Sequence, residues 1–187
     1  SPSDCSALAG LGFLDKKIDV VFSGVNPAAN MSRDVTYSGT VTAALEATIW
    51  GLRAAAFSVD NPKGDYAEES ELIRPYLRRA IRTFLGLELP PFTILNVNFP
   101  NPKHLINREA EFMITTQGER FYRDVLIKNI DPFGRPYYWF GGEIPDGGEE
   151  RGTDTGEVMA GNISVTPIHL DMTAHQQLAK LRALDWK

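Results

Sequence analysis

Residues 18–59 read IDVVFSGVNPAANMSRDVTYSGTVTAALEATIWGLRAAAFSV, and the hydrophobic period changes three times within them. Ile18 to Ser23 is a short, continuous, largely β-branched run, the pattern of a strand buried on both faces of a parallel sheet. A loop rich in Gly, Asn and Pro follows, from Gly24 to about Tyr37. From about Ser38 to Ala54 the positions Val41, Ala44, Leu45, Thr48 and Leu52 recur at helical spacing. Ala54 to Val59 reads as the next strand. Strand, loop, helix and strand in that order make a βαβ unit, so the fold class is α/β.

Working outward, the chain opens Ser1-Pro2-Ser3-Asp4-Cys5, a turn with Asp4 as a helix N-cap ahead of Ala7, Leu8 and Ala9. On the other side a second helix is expected from about Tyr66 to Leu85, with Gly86 beyond its end and Pro75 inside it, where proline should kink or divide it. Phe92 to Phe99 (FTILNVNF) is another apolar strand. Then the character changes. Glu111 to Thr116, Phe121 to Ile127 and Tyr137 to Phe140 read as short strands of an antiparallel hairpin region. Gly141 to Gly156 reads as a mobile surface loop, Asn162 to Ile168 as a last strand, and Thr173 to Leu184 as a last helix capped by Thr173. The expected division is 1–105 for the α/β core and 106–187 for a hairpin arm, a final core strand and a C-terminal segment.

Bulk properties exclude several classes. At 187 residues, with 43% hydrophobic and 23% charged residues, the chain can bury a real core and is not disordered. No apolar run approaches the roughly 20 residues that span a bilayer. A net charge of −5 argues against a nucleic-acid polymer as partner, because phosphate backbones select basic patches. The single cysteine, Cys5, leaves no intrachain disulfide and no cysteine-based zinc site, and fits a reducing compartment. The sequons at Asn30 and Asn162 are chance-level tripeptides.

The chemistry sits in the loop. Ser23-Gly24-Val25-Asn26-Pro27-Ala28-Ala29-Asn30-Met31, then Tyr37-Ser38-Gly39-Thr40, joins the C-terminal end of a strand to the N-terminus of a helix. Ligands of open α/β sheets bind there, and a helix N-terminus favours an anion. Gly39 permits close backbone approach, Ser38 and Thr40 add hydroxyls, and the two Asn offer carbonyl oxygens and amide donors to a hard metal or a phosphate oxygen. Each motif also has a plain reading: Ser-Gly-Thr as a helix cap, Asn as a turn former.

The segment SGVNPAANM…DVTYSGTVTAALEA resembles the signature region of the SurE (stationary-phase survival protein E) nucleotidase family. So do Pro2-Ser3-Asp4-Cys5, FTILNVNFP, Asp131-Pro132-Phe133-Gly134 with Tyr137-Tyr138-Trp139, Gly152-Thr153-Asp154, and Ile163 to His169, all in the family's order. The resemblance implies a Rossmann-like three-layer sandwich with a β-hairpin arm and a C-terminal extension involved in oligomer contacts. It implies a metal-dependent phosphomonoesterase hydrolysing nucleoside 5′- and 3′-monophosphates, with Mg²⁺ or Mn²⁺ as cofactor. Carried over, Asn26 is a metal ligand, Asn30, Ser38, Gly39 and Thr40 line the phosphate site, and Asn26, Asn30 and Ser38 are the catalytic set. A homodimer or homotetramer with an exchanged C-terminal arm, and a cytoplasmic location, are also implied. Two departures stand out. The family's Asp-Asp pair and metal-binding Ser precede the point where this sequence begins, so the chain is expected to lack that segment. Pro27-Ala28 replaces the family's usual x-Gly, which bears on loop geometry.

Other features carry less. Cys5 reads as packing, and His169, Asp171 and His175 as oligomer contacts. Asp131-Pro132-Phe133-Gly134 is a turn, and Tyr137, Tyr138 and Trp139 belong to a packed hairpin or interface. The competing functions are a non-catalytic phosphate-binding or assembly module, and a dinucleotide-binding unit, which Gly-x-Gly-x-x-Gly would mark and this loop lacks.

Overall fold

The computed structural model describes residues 1–61, 66–119, 124–142 and 150–186. Its elements are α1 (Pro2–Gly10), β1 (Val20–Asn26), α2 (Gly39–Ile49), β2 (Arg53–Val59), α3 (Tyr66–Leu85), β3 (Thr93–Phe99), β4 (Phe112–Ile114), β5 (Asp124–Ile130), β6 (Pro136–Gly142), α4 (Asp154–Met159), β7 (Ile163–His169) and α5 (Leu178–Arg182). One sheet has the order β1-β2-β3-β7-β4. The pairs β1–β2, β2–β3 and β4–β7 are parallel, and β3–β7 is antiparallel. The fold is therefore the expected layered α/β sandwich.

Alternation along β2 sorts the two faces. Ala54 and Ala56 pack with Val41, Ala44 and Ala47 of α2, Ile94 of β3 and Ile168 of β7. Ala55, Phe57 and Val59 pack on the opposite side with Ile73, Ala80 and Phe84 of α3 and Val97 and Phe99 of β3. The small residues on the α2 side let that helix lie close to the sheet, whereas the α3 side is filled by aromatic rings, with Phe22 against Phe57 and Phe84. Because β1, β2 and β3 advance in one direction, two right-handed crossovers would put both helices on one face. Their opposite placement means one connection runs against the usual hand.

Several sequence expectations are corrected. The N-cap of α1 is Ser1; Asp4 lies at the third helical position and returns its carboxylate to the Ser1 nitrogen, a capping box. α2 stops at Ile49 rather than near Ala54, because Gly51 takes a left-handed φ of 73° and the chain turns directly into β2. α3 runs unbroken as one element through Pro75. Its buried face at Ile73, Ala80 and Phe84 offsets the cost of the proline, about 3 kcal/mol, and Pro75 itself is exposed. The Arg53 guanidinium donates to the carbonyls of Phe84, Leu85 and Leu87, capping the end of that helix.

The expected hairpin region separates into two parts. β4 joins the main sheet beside β7, and only β5 and β6 form the antiparallel hairpin. Of the strand expected at Phe121 to Ile127, residues 121–123 lie outside the described residues, as do residues 143–149 of the expected loop at Gly141 to Gly156. The end of that loop is not a surface feature. Thr153 caps α4, and Thr153 to Val158 are buried. The expected helix at Thr173 to Leu184 is a 3-10 turn at His175–Gln177 followed by α5. Asp171 takes the amide of Thr173 at 2.8 Å, and this local turn competes with helix initiation. Hydrogen bonds from Thr173 and the neighbouring His175 hold the Asp171 carboxyl well below the usual carboxylate range.

Candidate phosphate and cation site

The α2-facing side of the sheet changes character along its length. Ala54, Ala56, Ile94 and Ile168 are apolar, but toward the C-terminal ends of β2 and β3 the same rows continue as Ser58, Asn96 and Asn98. In β7, which runs the other way, Thr166 and Ser164 lie opposite Asn96 and Asn98. All five are buried. A buried polar floor requires partners, and the loop after β1 supplies them. The Asn30 amide donates to Asn98 Oδ1 at 2.8 Å, and the Asn30 carbonyl accepts from Asn96 Nδ2 at 2.8 Å and Asn98 Nδ2 at 3.1 Å. Asn30 Nδ2 donates to Ser58 Oγ at 2.7 Å. Asn96 Oδ1 and Ser164 Oγ are buried with no protein partner among the described residues, so the floor keeps unused polar capacity beneath the loop.

Asn26 and Asn30 are brought together. Both side-chain amides donate to one acceptor, the Ala28 carbonyl, at 2.6 and 3.1 Å. A carbonyl can only accept, so it engages each Nδ2 and neither Oδ1. Asn26 ends β1 opposite Ser58, after an irregularity in the pairing between Ser23 and Asn26. Gly24 lies in that irregularity with φ of 118°, and a Cβ there would stand 2.2 Å from the Phe57 carbonyl oxygen. The glycine of the Ser-Gly motif is thus a packing requirement. Ala28, in the place of the family's glycine, is not among the left-handed residues, so the substitution carries no backbone strain.

Ser38, Gly39 and Thr40 form the N-terminus of α2, joined to Asn30 through the 3-10 turn Ser32–Thr36. Ser38 is the N-cap, its Oγ accepting the Val41 amide at 3.1 Å. That leaves its hydroxyl hydrogen and the first-turn amides of Gly39 and Thr40 without intrahelical partners, an anion-favouring arrangement. The capping reading of Ser38 holds, and it leaves these groups available to an anion. Gly39 has a different constraint from the one expected. A Cβ there would meet the Pro2 ring at 3.1 Å, so its lack of a side chain serves the packing of α1 on α2.

Sequence reasoning passed over Asp154 as a single residue. It is fully buried, and its carboxylate accepts three amides, from Ser32, Gly118 and Thr155, each at 2.8 Å. The signal was present in Gly152-Thr153-Asp154, but nothing local reveals that the carboxylate reaches a loop 122 residues earlier. Its neighbour Glu157 binds Arg151 Nε at 2.8 Å, the Gly152 amide at 2.9 Å and Asn162 Nδ2 at 2.8 Å. Burial alone pushes the Glu157 carboxyl up, but these hydrogen bonds and the Arg151 charge outweigh it and hold the pKa at about 2 against an ordinary 4.5. The folded carboxyl binds its proton more weakly than the unfolded one. Its contribution, about 3 kcal/mol, is therefore complete above the ordinary value and is lost as the pH falls toward the folded one. Urea unfolding of wild type and Glu157→Gln should show a stability gap that closes between pH 4.5 and 2. A gap independent of pH would show that the carboxylate charge contributes nothing.

With this geometry in view, comparison with known proteins is decisive. The family described as "Survival protein SurE" matches residues 1–124. This chain belongs to the SurE family. Two relatives, each named 5'-nucleotidase SurE, are similar over all of it. That of Herpetosiphon aurantiacus is 44% identical and 72% covered, and that of Chloroflexus aggregans is 40% identical and 73% covered. The crystal structure of the SurE protein from Aquifex aeolicus superposes with a TM-score of 0.76 at 37% identity, covering 97% of this chain and 71% of that one. Among the described residues no group of three His, Cys, Asp or Glu could by itself hold a metal ion, and no helix is long and apolar enough to cross a membrane.

Proposed function

We propose that this SurE-family chain is a phosphomonoesterase acting on nucleoside 5′- and 3′-monophosphates with a divalent cation, Mg²⁺ or Mn²⁺. The observation that supports the reading is the shared Ala28 carbonyl, which engages the Nδ2 of both Asn26 and Asn30 and not their Oδ1 atoms, in the loop that leads through a 3-10 turn to the N-terminus of α2. Family membership and the two relatives named as 5'-nucleotidases support the substrate class.

Asn26 offers a neutral oxygen to the cation, and the remaining oxygens, carboxylates preferred, come from outside this loop. When bound, the cation neutralises phosphoryl oxygens and lowers the pKa of a water for attack on phosphorus. Asn30 lines the phosphate site in this reading; with its Nδ2 engaged by Ala28 and Ser58, it would contribute through Oδ1, an acceptor. The amides of Gly39 and Thr40, the Ser38 and Thr40 hydroxyls and the positive end of α2 take the phosphoryl oxygens and stabilise the charge that builds on them. A cytoplasmic enzyme, assembled as a homodimer or homotetramer through its C-terminal arm, completes the reading.

The test is phosphate release from nucleoside 5′- and 3′-monophosphates by a longer chain that carries the family's upstream Asp-Asp pair and Ser together with these residues, with and without Mg²⁺ or Mn²⁺. Turnover that chelation removes and either cation restores is expected. Phosphate binding without turnover under every condition would favour the non-catalytic module instead.

A further inference from the structure

Ser32 is one of only two non-glycine residues with left-handed backbone among the described residues, at φ of 53°, and it is 1% exposed. A serine in that conformation costs energy and persists only where its surroundings hold it. Here every polar group it has is held. Its amide donates to Asp154 Oδ2 at 2.8 Å, its hydroxyl donates to the Gly118 carbonyl at 2.7 Å, and its carbonyl accepts Gln117 Nε2 at 3.0 Å. Asp154 closes the ring by accepting the Gly118 amide with its other oxygen. The approach is too close for a side chain at position 118, where a Cβ would stand 2.2 Å from Thr155 Oγ1.

Two residues before Ser32 lies Asn30, whose backbone is pinned from the opposite side by Asn96 and Asn98. The segment 30–32 is therefore clamped between the sheet and the start of α4. We infer that Asp154 is a positioning residue for the phosphate and cation loop: it fixes Ser32 in its left-handed conformation and thereby aims Asn30 Oδ1. This inference rests on the function proposed above for that loop. Asp154 touches no substrate; it acts only through the backbone it holds.

Asp154→Asn isolates the claim. The carboxamide has one acceptor oxygen, which the Gly118 and Thr155 amides retain, so its NH₂ would face the Ser32 amide, donor against donor. The control is Glu157→Gln, which weakens the neighbouring carboxylate network of α4 without touching the loop. Loss of one buried hydrogen bond should raise hydrogen exchange at Asn30 and Ser32 about tenfold or more in Asp154→Asn, while in Glu157→Gln these amides change only in step with global stability. Phosphomonoester kcat/KM should fall about 10- to 100-fold in Asp154→Asn, as for a misplaced catalytic group. In Glu157→Gln it should stay within about twofold at equal folded fraction, because that side chain makes no contact with the loop.

Equal exchange and equal activity in the two variants would overturn the inference and leave Asp154 a stability residue. If Asp154→Asn does not fold, Gln117→Ala decides, since Gln117 is exposed and removes only the Ser32 carbonyl contact. Raised exchange confined to residues 30–32 supports the clamp, and unchanged exchange overturns it. Asn26→Ala separates this from the site itself. If Asn26→Ala is inactive while Asp154→Asn keeps a wild-type loop and activity, the positioning role alone fails. If Asn26→Ala is fully active, the reading of the site fails.

Discussion

Asn26→Ala is expected to lower phosphomonoester turnover at least 100-fold, about 2.7 kcal/mol of transition-state stabilisation, while leaving the fold standing. The side chain is half-buried and donates to the Ala28 carbonyl, so its removal opens no core cavity and costs about 1 kcal/mol of stability. Function should suffer more, because in the proposed site the bond to Ala28 orients Oδ1. Alanine removes the proposed cation ligand and also frees the acceptor that Asn30 shares. Asn26→Asp sharpens the case. It keeps an oxygen in place but sets a carboxylate against the Ala28 carbonyl, so it should retain more activity than alanine and shift the loop. Steady-state kinetics with a melting curve for each variant makes the comparison. Asn26→Ala within threefold of wild type would remove the central residue of the proposed site.

Gly24→Val should be the most damaging single change in the loop, costing upward of about 3 kcal/mol and abolishing activity in whatever folds. Two effects add. Its φ of 118° lies where side chains are strained, and the first side-chain carbon would stand 2.2 Å from the Phe57 carbonyl oxygen, inside the β1–β2 pairing. Neither strand can yield without disturbing Phe57, which packs on Phe22 and Phe99. Gly12 supplies the comparison: its φ is 86°, but a Cβ there meets nothing within 4 Å. Gly12→Ala should therefore cost only about 1 kcal/mol, the backbone part alone. Urea unfolding of both variants separates strain from collision, and a Gly24→Val protein within 1 kcal/mol of wild type would refute the close approach.

These results bear on how far a local pattern reaches. The α/β class and the loop's place between a strand and a helix were legible because burial imposes a period on each element, and period is a property of neighbours in sequence. The boundaries of α3 could be read for the same reason, from an apolar stripe and a C-terminal glycine. Asn26, Ser38, Gly39 and Thr40 stood out because capping chemistry and turn chemistry are also local.

Long-range contact decided the rest. That β4 enters the main sheet while β5 and β6 form a separate hairpin depends on which edge each strand finds, and short strands of similar composition carry no such address. That Gly39 is small for the sake of Pro2, that one carbonyl gathers two asparagines, and that Asp154 grips Ser32 are facts of approach between distant parts of the chain. By itself the sequence determined which residues could cap, turn or bury. Only the tertiary structure chose their partners, because a buried polar group is satisfied by whatever the fold brings within about 3 Å, and sequence separation does not enter that distance.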